Sequence, residues 1–236
     1  MEIKILFNNK RLNRQFLVGW GISCLVGSNI LFDTGEEWGC LFGNMDRMGV
    51  SIDGIEAVVI SHEHFDHTGG LWELLRRKPR LDLYICSGLS RGFKDRVKLY
   101  GCNMIEVDSF AQIAGDVYTT GQMEASHGVE GIPEQALVLD TAKGLTVVTG
   151  CAHPGIIAVV ERARANLKKD VRMVIGGFHL LGEPGEKIRA ISNRLRDLGV
   201  RSVGPAHCTG DDAESIFRKS YQENFIDITV GKTIEV

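Results

Sequence analysis

A strand that runs directly into a cluster of histidines constrains this chain more than any other feature of its sequence. Residues 57–60 are apolar and β-branched, as in a buried strand, and His62, His64, Asp66 and His67 follow them immediately. Alternation on an extended segment places His62 and His64 on one side, whereas a turn at Asp66 carries Asp66 and His67 to a neighbouring position. The spacing therefore predicts two adjacent metal sites.

The chemistry of these side chains narrows the choice of metal. Imidazole and carboxylate groups suit Zn²⁺, Fe²⁺ or Mn²⁺, and the segment has no compact four-ligand cage of the structural type. A histidine-rich turn with only a structural role is the alternative, but ionisable groups rarely cluster without a charge partner. We expect two divalent metal ions, zinc first, at open catalytic sites that distant residues complete.

Three later strand-to-turn junctions each supply a histidine. They are LTVVTGCAHPG with His153, MVIGGFHL with His179, and SVGPAHCTG with His207. Ligands and catalytic groups collect at the strand ends of α/β sheets. We predict His153 and His207 as metal ligands, and His179 as a ligand, a substrate contact or a proton shuttle.

Two further residues remain open at this point. Cys151 is either a small buried residue at a tight turn or a thiolate that bridges two metals. His127, in EASHGVEGIP, is expected in a surface loop that approaches the pocket at most as part of a lid.

The rest of the chain alternates short β-branched runs with amphipathic segments, which predicts an α/β fold. Strands are predicted at residues 3–7, 22–26, 29–33, 57–60, 83–85, 117–119, 136–140, 145–149, 171–175 and 201–205. Helices are predicted between Gly70 and Pro79 and at residues 155–168, 186–198 and 211–223. Neither a linker nor an internal repeat is evident, so a single domain over residues 1–236 is expected.

Composition excludes several classes of protein. The 236 residues are 44% hydrophobic and 24% charged, enough for a sizeable core. A net charge of −3 without a basic stripe argues against nucleic acid, and no segment has the roughly 20 apolar residues of a membrane span. The expectation is a soluble cytoplasmic protein that acts on a small molecule, with reduced cysteines and a homodimer as the default assembly.

Several motifs together resemble the metallo-β-lactamase fold superfamily, namely SHEHFDHTGG, ILFDTG and PAHCTG. The combination EQALVLDTAKGLTVVTGCAHPGI, IGGFHL and AHCTG is similar to the branch that includes the dihydropterin ribofuranosylaminobenzene phosphate synthases of the methanopterin pathway. The resemblance spans nearly the whole chain. It implies an αββα sandwich, two mixed sheets flanked by helices, with the metals at the open edge between the sheets.

The resemblance also implies roles for individual residues. His62 and His64 would bind the first metal, and Asp66, His67 and His207 the second. Asp33, in ILFDTG, would support the site by hydrogen bonding. Many members end the middle strand with Gly-Asp, which supplies a bridging carboxylate, whereas this chain has Gly150-Cys151. Either Cys151 bridges or His153 supplies the missing contact, and we favour His153.

Three functions follow as hypotheses. The first is a hydrolase of a small ester or phosphoester that uses a metal-bound hydroxide, with Asp66 orienting the nucleophile and His179 donating to the leaving group. The second is a transferase acting on a pterin diphosphate, like the synthases of the resembling branch. The third is a non-catalytic metal-binding or sensing module. Diiron oxygen-reducing and nuclease roles are set aside, because position 64 is His and no basic nucleic-acid-binding region is present.

Overall fold

Strands alternate with helices along the computed structural model, which describes residues 1–125 and 131–236. Its strands are β1 (Glu2–Phe7), β2 (Ser23–Val26), β3 (Ile30–Phe32), β4 (Ala57–Val59), β5 (Asp82–Cys86), β6 (Asn103–Val107), β7 (Ala111–Ala114), β8 (Val117–Thr119), β9 (Leu137–Thr141), β10 (Gly144–Thr149), β11 (Val171–Gly177), β12 (Ser202–Ala206) and β13 (Thr233–Glu235). Its α-helices are α1 (Trp38–Arg47), α2 (Phe65–Thr68), α3 (Leu71–Arg77), α4 (Arg91–Lys98), α5 (Ile156–Leu167), α6 (Gly185–Asp197) and α7 (Asp211–Tyr221).

The chain divides into two units, each with its own sheet and apolar core. The first unit comprises Met1–Asp108 together with Thr229–Val236, and the second comprises Ser109–Ile228. The expectation of a single domain over residues 1–236 stays a prediction.

The sheet of the first unit has the strand order β13-β1-β2-β3-β4-β5-β6. Neighbours are antiparallel from β13 to β3 and parallel from β3 to β6. Parallel strands end at the same edge of a sheet, so the residues that follow β3 and β4 are brought together there. Asp33 directly follows β3, and the histidine cluster follows β4.

The core of the first unit explains why these short strands form. Leu31, Val58 and Leu83 pair in register across β3, β4 and β5, and all three are fully buried. Side chains of α3, including Leu74 and Leu75, belong to the same apolar cluster. Full burial of one such side chain contributes roughly 1.5–3 kcal/mol, so the strands that carry the site are anchored by their middle residues.

The second unit repeats this plan with the strand order β12-β11-β10-β9-β8-β7. Neighbours are antiparallel from β7 to β10 and parallel from β10 to β12. Val147, Val174 and Val203 form a fully buried row across the three parallel strands, in one cluster with Leu195 of α6 and Phe217 of α7. The carboxyl ends of β10, β11 and β12 therefore lie at one edge of this sheet.

The predicted strands and helices all occur, with bounds that differ by a few residues. Predicted strand 117–119 coincides with β8, and the helix predicted at 186–198 is α6. Helices α1, α2 and α4 and strands β6, β7 and β13 were not predicted. No helix within residues 1–125 or 131–236 is long and apolar enough to cross a membrane.

Candidate metal centre

The loop after β4 gathers four ligand-type side chains in one turn. The backbone N–H of His67 donates to the carbonyl of His64 at 3.0 Å, which closes the turn, and α2 adds one helical turn. Gly69 allows the close packing that follows, because a Cβ atom there would lie 1.9 Å from the carbonyl oxygen of Glu36. The histidines are thus held on a loop fixed by backbone contacts.

Asp33 supports this loop from the end of β3, with its backbone in the left-handed region at φ 51°. One carboxylate oxygen accepts the backbone N–H of Ser61 at 2.7 Å. The other accepts the Ser61 hydroxyl and lies 2.7 Å from Nδ1 of His67. The carboxylate is an acceptor only, so Nδ1 of His67 carries the hydrogen, and Nε2 is the nitrogen that would coordinate a metal.

The acidic neighbours of His67 set its protonation before any metal binds. Burial alone would lower the pKa of His67, but the carboxylates of Asp33 and Asp66 raise that pKa to about 10. The carboxylate of Asp66 lies 3.5 Å from Nε2 of His67, on the opposite side of the ring from Asp33. Asp66 and His67 therefore present an oxygen and a nitrogen side by side, as two ligands of one ion would.

His62 and His64 form a second adjacent pair. The Ser61 hydroxyl lies 2.9 Å from Nδ1 of His62, and Nε2 of His62 lies 3.1 Å from Nδ1 of His64. Two imidazole nitrogens bound to one tetrahedral zinc at about 2.0–2.1 Å would be separated by roughly 3.3 Å. The donor types and this separation fit a divalent metal ion held by His62 and His64.

An open pocket of about 590 Å³ lies beside His64 in the first unit. Aromatic side chains form much of its lining, and Phe65 among them is 68% exposed. The guanidinium of Arg96 lies 3.7 Å from the ring centroid of Trp72, within the range of a cation–π contact. A carboxylate oxygen of Glu63 accepts the backbone N–H of Ser90 at 3.0 Å. The pocket combines ring surface, one cation and one carboxylate.

In the second unit, Glu134 organises the loop after β10. One carboxylate oxygen accepts the backbone N–H groups of Cys151 and Ala152, each at 2.8 Å. The other accepts the backbone N–H of His153 at 2.7 Å and lies 2.8 Å from Nδ1 of the same residue. Three successive N–H groups thus converge on one anion, with Ala152 in the left-handed region at φ 60°.

The contact with Glu134 orients the ring of His153 in the same way as Asp33 orients that of His67. Glu134 is 2% exposed and His153 is 5% exposed, so the pair is shielded from water. The carboxylate holds the Nδ1 hydrogen and directs Nε2 away from Glu134, the arrangement that commonly orients a metal-binding histidine.

His179 and His207 follow the next two strands, both with left-handed backbones at φ 52°. His179 is exposed, and its ring centroid lies 4.5 Å from that of His153. A hydrogen bond to Cys208 raises the pKa of His179. Burial alone would raise the pKa of the Cys208 thiol, but hydrogen bonds with Cys151 and His179 and the charge of His207 hold it well below its ordinary value. Left-handed backbone is unfavourable for these residue types and concentrates at functional sites.

The structure gathers the predicted site residues into one cluster in each unit. His62, His64, Asp66 and His67 share one turn of the first unit. In the second, His153 and His179 group with Cys151, and His207 groups with Cys151 and Cys208. His127 lies outside the described residues. The assignment of individual ligands and catalytic residues stays a prediction.

Glu134 is the residue that sequence reasoning missed. Its partners lie 17 to 19 residues away along the chain, so no local spacing marks it. The sequence signal it leaves is an acidic residue three positions before the start of β9, where a charge is expected to be paired if it is buried. The hydrogen bonds of Asp33 agree with the supporting role that the resemblance implied.

Comparison with known proteins places these features in a class. Residues 23–81 match the sequence profile of the metallo-beta-lactamase superfamily. A crystal structure of a metal-dependent hydrolase of the beta-lactamase superfamily superposes with a TM-score of 0.87 at 27% identity, and covers 100% of this chain and 99% of that one. The chain has the metallo-β-lactamase fold, which confirms the predicted fold class.

Two relatives are similar to this chain over most of its length. 7,8-Dihydropterin-6-methyl-4-(β-D-ribofuranosyl)-aminobenzene-5'-phosphate synthase from Methanocaldococcus jannaschii is 27% identical over 250 residues, which cover 89% of this chain and 85% of the synthase. An uncharacterised protein from the same organism is 28% identical over 264 residues, with 99% of this chain and 100% of that protein covered. The chain resembles the branch that contains this synthase, as its motifs predicted.

Proposed function

We propose that this chain is a metal-dependent hydrolase that cleaves an ester or phosphoester bond of a small molecule. One observation carries the proposal: the same carboxylate–histidine pair occurs in both units, as Asp33 with His67 and as Glu134 with His153. In each pair a buried carboxylate holds Nδ1, which would leave Nε2 to bind a metal. The similarity to a metal-dependent hydrolase of the same fold supports it.

The proposed ligands are His62, His64, Asp66 and His67 of the first unit, and His153 and His207 of the second. Imidazole and carboxylate donors fit Zn²⁺ best, with Fe²⁺ or Mn²⁺ as alternatives, and we propose two ions per chain.

Bound divalent ions would polarise the substrate oxygen as Lewis acids and lower the pKa of a coordinated water. The chain's own groups position the reactants. Asp66 is buried beside His67, where its carboxylate can accept the proton of an attacking water. His179 is exposed next to Cys208, where its imidazolium can donate a proton to the leaving group.

Metal removal tests this proposal. We expect a chelator to abolish turnover of esters, lactones or phosphoesters, and Zn²⁺ to restore it. His179→Ala should lower kcat about 10²-fold or more, as expected for a lost proton donor. Glu161→Gln, which breaks an exposed ion pair with Arg194, is the control and should keep full activity. Turnover that survives complete metal removal would contradict the proposal.

A second candidate, a transferase on a pterin diphosphate, is favoured by the synthase relative and by the pocket beside His64. A flat pterin ring would stack on the exposed face of Phe65. The carboxylate of Glu63 could accept the adjacent N–H donors of the amino-pyrimidinone edge, and Arg96 could bind a phosphate group. Aromatic surface with one acceptor and one cation suits this substrate class better than a simple aliphatic ester.

Diphosphate release separates the two candidates. The protein is incubated with a dihydropterin diphosphate and an aminobenzene acceptor, and free diphosphate is measured. For the transferase we expect acceptor-dependent release, with Phe65→Ala raising KM for the pterin more than it lowers kcat. Absence of diphosphate release together with ester turnover would leave the hydrolase. Tight metal binding with no turnover of either substrate class would favour a non-catalytic metal-binding or sensing module.

A further inference from the structure

Five sulfur and nitrogen side chains meet at the carboxyl ends of the parallel strands of the second unit. In one group, Cys151, His207 and Cys208 place a ligand atom each within 4.8 Å of one another. In another, Cys151 lies within the same distance of His153 and His179. Cys151 is common to both groups, which makes it the centre of the cluster.

The strand register builds this cluster. Thr149 of β10 pairs with Gly176 of β11, and Gly177 of β11 pairs with Ala206 of β12, so Cys151 and Cys208 follow strands on either side of β11. Gly177 lies beneath both, because a Cβ atom there would lie 2.7 Å from the Cys208 sulfur and 3.2 Å from the Cys151 Cα. Any larger residue at position 177 would push the two cysteines apart.

Both sulfur atoms of the cluster and the neighbouring His207 are shielded from solvent, whereas His179 lies at its exposed side. Cys151 is 3% exposed, Cys208 is 7% exposed and His207 is fully buried. The cysteines of the first unit provide the contrast, since no described group of ligand-type residues includes Cys24, Cys40, Cys86 or Cys102. A pair of thiols beside imidazoles is therefore a feature of this edge and not of the chain's cysteines in general.

We propose that Cys151 and Cys208, together with His207, bind a metal through sulfur. Each S–H bond breaks as its sulfur–metal bond forms, and the proton passes to solvent. This inference rests on the proposed metal dependence and deepens it, because it names the ligands that set metal preference. Thiolate ligands favour borderline and soft ions such as Zn²⁺, Co²⁺ or Cd²⁺ over Mg²⁺, Ca²⁺ or Mn²⁺.

The alternative is that both thiols are inert buried groups. The Cys208 thiol lies 3.8 Å from the carbonyl oxygen of Cys151, which would satisfy a weak S–H donor. That contact accounts for the position of Cys208. It does not account for the Cys151 sulfur, which lies near His207 in one group and near His153 and His179 in the other. Sulfur–metal spectroscopy distinguishes the two cases directly.

Cobalt substitution is the test. The apoprotein is loaded with Co²⁺, the bound cobalt is quantified, and the near-ultraviolet sulfur-to-cobalt charge-transfer band is recorded. We expect the band in the wild-type protein and a fall of about half in Cys151→Ser and in Cys208→Ser, since each removes one of two thiolates. Cys102→Ser, a half-buried cysteine of the first unit, is the control and should keep the full band.

A measurement on the wild-type zinc protein tests the same ligands without a cysteine variant, and so does not depend on how the variants fold. X-ray absorption should show a sulfur scatterer at about 2.3 Å in addition to nitrogen at about 2.0–2.1 Å. Cobalt or zinc bound with nitrogen and oxygen neighbours only would overturn the sulfur ligation and leave the metal-dependent function standing. Failure to bind either ion would overturn both.

Discussion

At the scale of single residues, two buried carboxylates determine how the histidines can act. Asp33 accepts three hydrogen bonds and Glu134 accepts four, and each includes the Nδ1 of one histidine among its donors. Burying a carboxylate is costly unless it is hydrogen-bonded, so a buried carboxylate with three or four donors is expected only where the charge serves a purpose. We expect that purpose to be fixing the tautomer of His67 and of His153 for metal binding.

Glu134→Gln tests whether the Glu134 carboxylate orients His153, because it replaces one carboxylate oxygen with an NH₂ group. The amide keeps one acceptor, but its NH₂ group would oppose backbone N–H donors of residues 151–153. We expect metal affinity to fall about 10–100-fold, and the free energy of unfolding to fall by roughly 1–3 kcal/mol. Competition with a metal-chelating dye and urea unfolding measure the two effects. The control is Glu161→Gln on α5, and an unchanged metal affinity for Glu134→Gln would count against the orienting role.

The sequence predicted the candidate metal ligands but not the carboxylate of Glu134 that orients His153, and the difference has a physical reason. His62, His64, Asp66 and His67 could be singled out as candidate ligands because their spacing along one strand end is itself the ligand pattern. Glu134 was not found, because its role exists only once β9 and β10 have paired and brought it against residues 151–153. Contacts between residues far apart in the chain leave no periodic signal in a single sequence.

At the scale of elements, the site depends on close backbone packing around the turn that carries the histidines. The Cβ position of Gly69 is blocked by the carbonyl of Glu36 at 1.9 Å, and that of Gly21 by the carbonyl of Asp66 at 2.0 Å. Backbone oxygens cannot rotate away as a flexible side chain can. Larger residues at these positions would displace the turn between β4 and α3 that holds His67.

A matched pair of glycine variants tests that packing. Gly69→Ala should lower the free energy of unfolding by about 1–3 kcal/mol through overpacking, and should reduce the bound metal. Gly92→Ala, within α4 and with no atom within 4 Å of its Cβ position, should leave metal binding unchanged and raise stability by up to about 1 kcal/mol. Thermal unfolding and metal analysis measure both, and equal behaviour of the two variants would contradict the packing argument.

The elements that the sequence did not predict have weak local patterns. Gly39 and Gly43 lie inside α1 and lower its helix propensity, yet the helix forms because the Glu37 side chain caps its N-terminus and Leu41 and Met45 are buried. Strand β13 has three residues and forms by pairing with β1 at the other end of the chain. Capping and burial stabilise α1, and pairing with a distant strand stabilises β13, where local propensity alone is insufficient.

At the scale of the whole molecule, each unit carries its own sheet, core and ligand cluster. A ligand that binds only the folded chain stabilises it, by about 2.7 kcal/mol when its free concentration is 100 times its Kd. For a chain of this size that corresponds to a rise in Tm of roughly 5–10 °C. Metal removal should therefore lower Tm by a similar amount, and metal addition should restore it.

Scanning calorimetry of the wild-type protein with and without chelator measures this shift. A variant with both His62→Ala and His64→Ala serves as the control, since it should respond much less to the chelator. A wild-type Tm that is independent of metal would show that the clusters do not bind ions tightly in the folded chain.

Metal analysis of the purified protein tests the central claim most directly, because every proposed activity depends on ions held by these two clusters. We predict that the dialysed wild-type protein retains two divalent transition-metal ions per chain. His62→Ala with His64→Ala should remove one ion, and His153→Ala should reduce the total as well. A wild-type protein that holds no metal after loading with zinc, or variants that keep the full complement, would contradict the account.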